Sequence, residues 1–151
     1  MKDLNSKVEN VNKSASSFLE AVDFYKLIKI LEKKVEERKM PGVDYDKAQE
    51  FLNKIRVISV GEAEMDLGMT KLILKVVERT AKHARINIDC AGIKNMNLWV
   101  QALPIDENNC KIRLRIEYEF SLSPIGLVLR STLTEEEIQD ILNTVVEEIH
   151  D

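Results

Sequence analysis

The stretch KIRLRIEYEF, residues 111–120, alternates apolar and charged side chains along its whole length. Successive side chains of a β-strand point to opposite faces of a sheet, so this period of two predicts a strand with one apolar and one solvated face. The function of the protein depends on whether the apolar face meets packed side chains or a cavity that holds a ligand. That face comprises Ile112, Leu114, Ile116, Tyr118 and Phe120.

Length and composition predict a single domain spanning residues 1–151. The chain is 44% hydrophobic and 32% charged, which is ordinary for a globular protein with a core of its own. Its 22 Lys and Arg residues are outnumbered by 26 Asp and Glu residues, which gives a formal net charge of -4. Proteins that bind nucleic acid generally carry a basic surface, so we expect no nucleic-acid partner.

The sequence carries no signal for export or membrane insertion. No run of about 18 apolar residues could span a bilayer, and the stretch MKDLNSKVEN at the start lacks the apolar core of a signal peptide. Cys90 and Cys110 are the two cysteines, and their spacing is unlike a disulfide framework. We therefore expect a protein of the reducing cytoplasm with no membrane span.

The N-terminal third of the chain predicts one short strand followed by helices. Residues 4–11 form the strand. Ser14 and Ser17 both offer helix caps, and Ser17 with Glu20 fits a capping box. Apolar residues at helical spacing continue from there until Pro41-Gly42 ends the pattern. Asp44 can cap a further short helix, whose apolar face would comprise Ala48, Phe51, Leu52 and Ile55.

From residue 56 to residue 122 the pattern changes to five or six strands, joined by breaks short enough for hairpins. Ser123-Pro124 then supplies a helix cap and a favoured first helical residue, and Thr134 with Glu137 forms a second capping box. Helices that cover the apolar face of one antiparallel sheet predict a two-layer α+β fold. The predicted apolar face of the long last helix comprises Ile138, Ile141, Leu142, Val145 and Ile149.

Most of the chain resembles a known superfamily in the order of its patterns. The resemblance rests on LKVVERTAKHARINI (74–88), MNLWVQAL (96–103) and NCKIRLRIEYEFSLSPIGLVLRS (109–131), with SFLEAVDFYKLIKIL (17–31) as the first helical segment. These stretches look like the small bacterial members of the START-like superfamily, also called SRPBCC or helix-grip, to which polyketide cyclases belong. The resemblance implies a curved antiparallel sheet of six to seven strands packed on a long C-terminal helix. Residues 38–54 depart from it and look like an insertion near the mouth of the cavity.

The same resemblance implies a ligand space between the sheet and the C-terminal helix. A lipid, an isoprenoid or a polyketide-like compound would suit its apolar walls. Aromatic residues make up only 5% of the chain, so few bulky side chains fill the space, although medium aliphatic side chains can also pack it shut. Tyr118 would offer its hydroxyl to a ligand or, as a core tyrosine, reach a backbone carbonyl. The predicted lining residues are Ile86, Ile88, Leu98, Val100, Ile112, Leu114, Ile116, Tyr118, Ile138 and Leu142.

No residue carries a catalytic or metal-binding signature. The motifs HExxH and CxxC are absent from the sequence, so we expect no catalytic residue, metal ion or cofactor. His83 and His150 are interpreted as surface residues. Cys90 alternates with Ile86 and Ile88, which is typical of a small buried hydrophobe.

Two polar features of the strands have alternative interpretations. Glu62, Glu64 and Asp66 form a solvated strip if they face outward, which we favour because Met65 competes for the inner face. Facing inward, they would have the raised pKa values that suit general acids. Trp99 falls on the outer face of its strand by phase, where it marks a contact site or is covered by N-terminal elements.

Three functions remain open at this point. The first is binding of a small hydrophobic or amphipathic molecule. The second is a cyclase-like enzyme of the same fold, which the lack of a catalytic constellation makes the less favoured interpretation. The third is a non-catalytic module that binds another protein through a sheet edge or the surface around Trp99.

Overall fold

The computed structural model describes residues 1–20, 22–37, 45–66, 68 and 70–148. The predicted end of the helical pattern at Pro41-Gly42, the Asp44 cap, Ile149 and His150 lie outside the described residues, as do the side chains of Ala48 and Phe51. The elements in chain order are β1 Lys2–Asn5, β2 Glu9–Val11, α1 Ala15–Glu20, α2 Phe24–Glu36, α3 Tyr45–Asn53, β3 Ile55–Ser59, β4 Glu62–Asp66, β5 Lys71–Arg79, β6 His83–Cys90, β7 Ile93–Asp106, β8 Asn109–Phe120, α4 Pro124–Thr132 and α5 Glu135–Glu148.

The strands form one antiparallel sheet of eight strands, in the order β1-β8-β7-β6-β5-β4-β3, with β2 also paired to β8. The α+β class is therefore confirmed, whereas the expected count of six to seven strands is too low. The difference arises at the N-terminus, where residues 4–11 were predicted to form a single strand. Ser6 still bonds to Leu114, but Glu9 pairs with Ile112, so Lys7 and Val8 together oppose Arg113 as a bulge. This extra residue splits the predicted strand into β1 and β2.

The helical pattern after Ser17 is divided between two helices. The Ser17 amide donates to Ser14 Oγ at 3.2 Å, so the cap of α1 is Ser14 and the predicted capping box at Ser17 is wrong. A second helix, α2, begins because the Asp23 carboxylate accepts the Tyr25 amide at 2.8 Å. The Arg79 guanidinium of β5 donates to the Leu19 carbonyl at 2.9 Å and also to the Val22 carbonyl. These bonds satisfy carbonyls that the end of a helix leaves open.

Two helices, rather than one long helix, follow β8. Both predicted caps are present: the Gly126 amide donates to Ser123 Oγ at 3.2 Å, and the Glu137 amide donates to Thr134 Oγ1 at 3.2 Å. Leu133 between them has an extended conformation, with φ -100° and ψ 98°, which ends α4. None of the helices in the described ranges combines the length and apolarity needed to cross a membrane.

The apolar face of α5 is rotated from the predicted one. Leu142 is buried and Ile138 packs against the core, as expected. Val145, however, is 39% exposed, whereas its neighbour Val146 is 0% exposed. Ile138, Leu142 and Val146 follow an i, i+4, i+8 spacing, and the centre of this stripe lies about 60° around the helix from Val145. Burial of Val145 and Ile141 was therefore predicted wrongly, because docking on the sheet favours the adjacent edge of the helix.

One core joins the inner face of the sheet to the helices. Helix α1 contacts β7 and β8, and α5 contacts β1 and β8. Phe18 and Leu19 of α1, with Leu142 and Val146 of α5, belong to the same hydrophobic cluster as the inner side chains of the sheet. Helices α2 and α3 pack on each other and on β3.

Candidate functional site

The inner face of the sheet brings all ten predicted lining residues into one hydrophobic cluster. The strand register shows why the eight from the sheet share a face. Ile86, Leu98 and Ile116 stand directly opposite one another on β6, β7 and β8, and residues directly opposite in an antiparallel pair point to the same side. Ala84, Val100 and Leu114 form the next row of this kind. Ile138 and Leu142 join the cluster from α5.

Burial divides this inner face into two parts. At β8, beneath α1 and α5, the side chains are closed off: Ile112 is 0% and Leu114 1% exposed. A ligand could contact these two only by displacing packed neighbours. The side chains toward β5 and along the first half of β7 remain half-buried while still packing against the core. They are Leu72, Leu74, Val76, Met96, Leu98 and, on α5, Ile138.

Met96 is an inner-face residue that the predicted lining omitted. It stands opposite Ile88 of β6 and alternates with Leu98 and Val100 along β7. The period of two that identified Leu98 and Val100 was therefore sufficient to identify Met96 as well.

The Tyr118 hydroxyl lies in the interior without a hydrogen-bond partner among the described residues. Its ring packs edge-on against Phe120, with 5.4 Å between the ring centroids. Burial raises the pKa of Tyr118; the Glu135 carboxylate raises it further, and Lys2 opposes this shift. Lys2 stands opposite Tyr118 and forms an ion pair with Glu135. A buried hydroxyl with no partner costs about 1–3 kcal/mol, so Tyr118 is an unsatisfied polar group within an apolar face.

The half-buried part of the inner face adjoins the backbone of Tyr118. Glu117 pairs with Asn97, and Glu119 pairs with Lys94. Between these two pairs the register shifts, so that Asn95 and Met96 of β7 together lie opposite Tyr118 of β8. The structure thus places Tyr118, whose hydroxyl has no partner among the described residues, opposite the half-buried Met96 in the sheet.

The outer face of the sheet holds Trp99, as its phase predicts, but the ring is covered. The Arg115 guanidinium carbon lies 4.9 Å from the centroid of the Trp99 ring, a cation–π distance. Arg115 also donates to both carboxylate oxygens of Asp3, at 3.0 and 2.9 Å. That hydrogen bond lowers the pKa of Asp3. The element that covers Trp99 is therefore β8, with β1 holding Arg115 in place.

The carboxylates of β4 form the outward strip that we favoured. Glu62 lies 3.7 Å from the Lys75 ammonium, and Glu64 lies 3.2 Å from Arg56 Nε. Asp66 is exposed and accepts the Gly68 amide at 2.8 Å. Ala63, between the two glutamates, is buried instead. Glu62 thus bridges β4 to β5 and Glu64 bridges β4 to β3, and none of the three carboxylates points into the core.

The remaining reactive side chains are not assembled into a site. His83 is half-buried beside the Thr80 turn, with Nε2 3.4 Å from Glu78 Oε1 but without hydrogen-bond geometry. Cys90 and Cys110 are both buried, and burial raises the pKa of each thiol. Within the described ranges, no group of three or more His, Cys, Asp or Glu residues could hold a metal ion.

Two surface grooves lie away from the half-buried part of the inner face. One, of about 410 Å³, runs between α2 and α3 and is lined by Glu32, Val35, Glu36, Tyr45, Asp46 and Gln49. The other, of about 570 Å³, lies mainly on the outer side of β6, β7 and β8, where His83, Gln101, Leu103, Lys111 and Arg113 point outward. It is also lined by Val8, Lys82 and the inner-face residues Ala102 and Ile112. Sequence reasoning identified neither groove.

The fold is similar to several solved structures. No protein-family model and no curated protein sequence matches the chain. Norcoclaurine synthase from Thalictrum flavum, in complex with dopamine and hydroxybenzaldehyde, aligns with a TM-score of 0.59 at 14% identity, over 99% of this chain and 84% of that one. The protein XoxI from Bacillus cereus aligns with a TM-score of 0.54 at 7% identity, over 99% and 94%. A Thermobifida fusca protein aligns with a TM-score of 0.53 at 18% identity, over 99% and 93%. Likeness at these identities is a likeness of fold.

Proposed function

We propose that the protein is a START-like binding protein for a small apolar or amphipathic molecule, held between the inner face of the sheet and the helices. The observation that carries the proposal is that Tyr118, whose hydroxyl has no partner among the described residues, stands opposite half-buried apolar residues in the sheet. Ligand sites are mostly apolar, with a few polar groups that fix orientation, and this is such a combination. The solved norcoclaurine synthase complex, which has a similar fold, holds two small aromatic molecules.

The space favoured for the ligand is the less closed part of the inner face. A ligand there would cover Leu72, Leu74, Met96 and Leu98. Covering apolar surface contributes about 25 cal/mol per Å², so a lipid-sized molecule needs no charged contact. The polar end of such a molecule would pair with the Tyr118 hydroxyl, which removes the cost of leaving it unsatisfied.

The other two candidate functions have less support. A cyclase-like enzyme needs a polar group placed to transfer a proton, but burial raises the pKa of Tyr118, which makes its hydroxyl a weaker acid. A protein-binding module could use the exposed apolar residues of α4, among them Leu127 and Val128. The surface first expected to carry that role is covered, because Arg115 lies over Trp99.

The test is native mass spectrometry of freshly purified protein, followed by a thermal-shift panel of lipids and terpenoids. A ligand that binds the folded state raises the melting temperature by mass action. We expect Leu98→Trp, which fills the half-buried space, to abolish the shift. Val77→Trp, at an exposed position of β5, is the matched control and should retain it. The proposal would be contradicted if no small molecule co-purified with the protein and no compound raised its melting temperature.

A further inference from the structure

The groove on the outer face of the sheet is cationic, although the protein as a whole is acidic. Lys82, Lys111 and Arg113 line it, and no Asp or Glu does, whereas the chain carries a formal net charge of -4. In the described part of the chain none of these three residues has an ion-pair partner; Arg113 Nε donates instead to Gln101 Oε1 at 2.9 Å. His83 Nε2 faces Glu78, so the positive character of the groove rests on these three side chains.

The register of three strands brings these groups together. His83, Gln101 and Arg113 stand opposite one another on β6, β7 and β8, and Leu103 stands opposite Lys111 in an adjacent row. Neighbouring strands are about 4.8 Å apart, so the cations border one small concave surface. Lys82 joins it because its carbonyl accepts the Ala102 amide at 2.8 Å.

Two apolar side chains form walls of the groove and remain open to water. Val8 is 53% and Leu103 64% exposed. Val8 occupies this position because of the bulge between β1 and β2, where Lys7 and Val8 together oppose Arg113. Lys7 turns toward α5, where its amide donates to Asn143 Oδ1 at 2.8 Å. The bulge therefore places an uncovered valine beside an unpaired arginine.

From this juxtaposition we infer a second binding site, in the outer groove, for a small amphipathic anion: a carboxylate or phosphate on an apolar body. Its anionic group pairs with Lys111, Arg113 and Lys82, and its apolar part covers Val8 and Leu103. A volume of about 570 Å³ lies within the range of small-molecule sites, about 300–1,000 Å³. This site is on the opposite face of the sheet from the proposed apolar ligand and does not depend on it.

The tip of the β7–β8 hairpin favours a small ligand over a broad anionic surface such as a membrane. Glu107 at the tip is exposed. The Asp106 carboxylate accepts the Asn108 amide at 2.8 Å and the Asn109 side-chain amide at 3.0 Å, and these bonds lower the pKa of Asp106. A flat anionic surface laid on the groove would meet both carboxylates, whereas a ligand seated among the lining residues does not.

The test is a titration of isotope-labelled protein with decanoate, followed by NMR, alongside decyl phosphate, decanol and decyltrimethylammonium. We expect saturable chemical-shift changes at His83, Gln101, Leu103 and Arg113. Either anion should bind about tenfold or more tightly than decanol, because charge-assisted hydrogen bonds are stronger than neutral ones. Shifts confined to Leu72, Leu74 and Met96 would place the anion on the inner face and overturn this inference. Such a result would support the apolar site instead.

A pair of charge-matched variants separates the groove from the overall charge. Lys111→Glu with Arg113→Glu should weaken decanoate binding by about tenfold or more. Lys13→Glu with Lys94→Glu changes the net charge equally at exposed positions outside the groove and should leave the affinity within twofold. The neutral pair Lys111→Gln with Arg113→Gln should also weaken binding, and it provides the test if the charge-reversed protein does not fold. Equal losses in both charge-reversed pairs, or tight binding of decyltrimethylammonium, would contradict the site.

Discussion

Ser6 and Leu114 are joined by two hydrogen bonds across the β1–β8 pair. The Ser6 amide donates to the Leu114 carbonyl at 2.7 Å, and the Leu114 amide donates to Ser6 Oγ at 2.8 Å. The hydroxyl thus replaces a backbone acceptor at the position where the bulge interrupts the ladder. Among the described residues, Ser6 is the buried polar residue that accompanies the core, and its bond to the Leu114 amide explains why a serine lies there.

Replacing Ser6 with Ala should destabilise the fold by about 1–3 kcal/mol, because the buried Leu114 amide loses its acceptor. Urea unfolding gives the free energy of unfolding of both proteins. Ser59→Ala, at an exposed strand end, is the control and should change it by less than about 0.5 kcal/mol. Equal stability of Ser6→Ala and the parent protein would show that the two-way bond does not stabilise the bulge.

The adjacent residues Val145 and Val146 provide a test of how α5 docks. Val146→Ala should cost about 1.5–3 kcal/mol, because it removes buried methyl groups and leaves a cavity. Val145→Ala, the same chemical change at an exposed position, should cost less than about 0.5 kcal/mol. A larger loss at Val145 would restore the helix face predicted from the sequence.

The strands and helix caps follow from local patterns, and so the sequence predicts them well. Alternation identified the segments that became β5 to β8, and Ser123 and Thr134 cap helices where expected, because a cap depends on residues within one turn. The broken helix at Asp23 was missed because Arg79, far along the chain, satisfies carbonyls around the break. The Ser6 bulge was missed for the same reason, since its partner lies 108 positions away.

For the candidate site, the residues that share the inner face were predictable, but the accessibility of their side chains was not. Phase alone assigned residues such as Ile86, Leu98 and Leu114 to one face, and all belong to one cluster. Whether a side chain on that face is closed off depends on which helix lies above it, and α1 and α5 cover β8 more completely than β5. The outer groove combines two cations of β8, a lysine of the turn before β6 and a valine displaced by a bulge, so no single segment of sequence carries its signal.

Tyr118→Phe should show separately what the hydroxyl costs in stability and what it contributes to ligand binding. In the ligand-free protein the variant should be as stable as the parent, or more stable by about 1 kcal/mol, because it removes an unsatisfied buried group. Its thermal shift with any apolar ligand that carries a hydroxyl or carbonyl should be smaller than that of the parent. A clear loss of stability without ligand would mean that the hydroxyl already has a partner.

Arg115→Ala should expose Trp99, the one tryptophan in the sequence, since the guanidinium lies over the ring. We expect a red shift of the fluorescence maximum and greater quenching by acrylamide. Arg113→Ala, two residues away on the same strand face, should leave the spectrum unchanged. Unchanged emission in Arg115→Ala would show that the ring is covered by another group.

Acid should weaken the fold partly through Asp3. Its pKa is lowered in the folded state by the hydrogen bond to Arg115, so the ionised carboxylate contributes stability above its unfolded pKa of about 3.9. That contribution is lost as the pH falls through the lower folded value. Urea midpoints from pH 7 to pH 2 should fall less steeply below about pH 4 in Asp3→Asn than in the parent. Asp46→Asn, an exposed control on α3, should follow the parent curve, and parallel curves for all three proteins would exclude a role for Asp3.

The two thiols should be unreactive until the protein opens. Cys110 is 0% and Cys90 8% exposed, and burial raises the pKa of both, so the nucleophilic thiolate is scarce as well as inaccessible. With an aromatic disulfide reagent at pH 8, we expect slow labelling of the native protein and rapid labelling of two thiols in urea. Ser59→Cys supplies an exposed thiol in the same fold and should react at once with one equivalent.

Because labelling of a buried thiol requires local or global opening, destabilising the fold with Ser6→Ala should accelerate labelling of Cys110, which lies on β8 with Leu114. Fast labelling of either native cysteine in the parent protein would contradict the packing of the inner face around that cysteine.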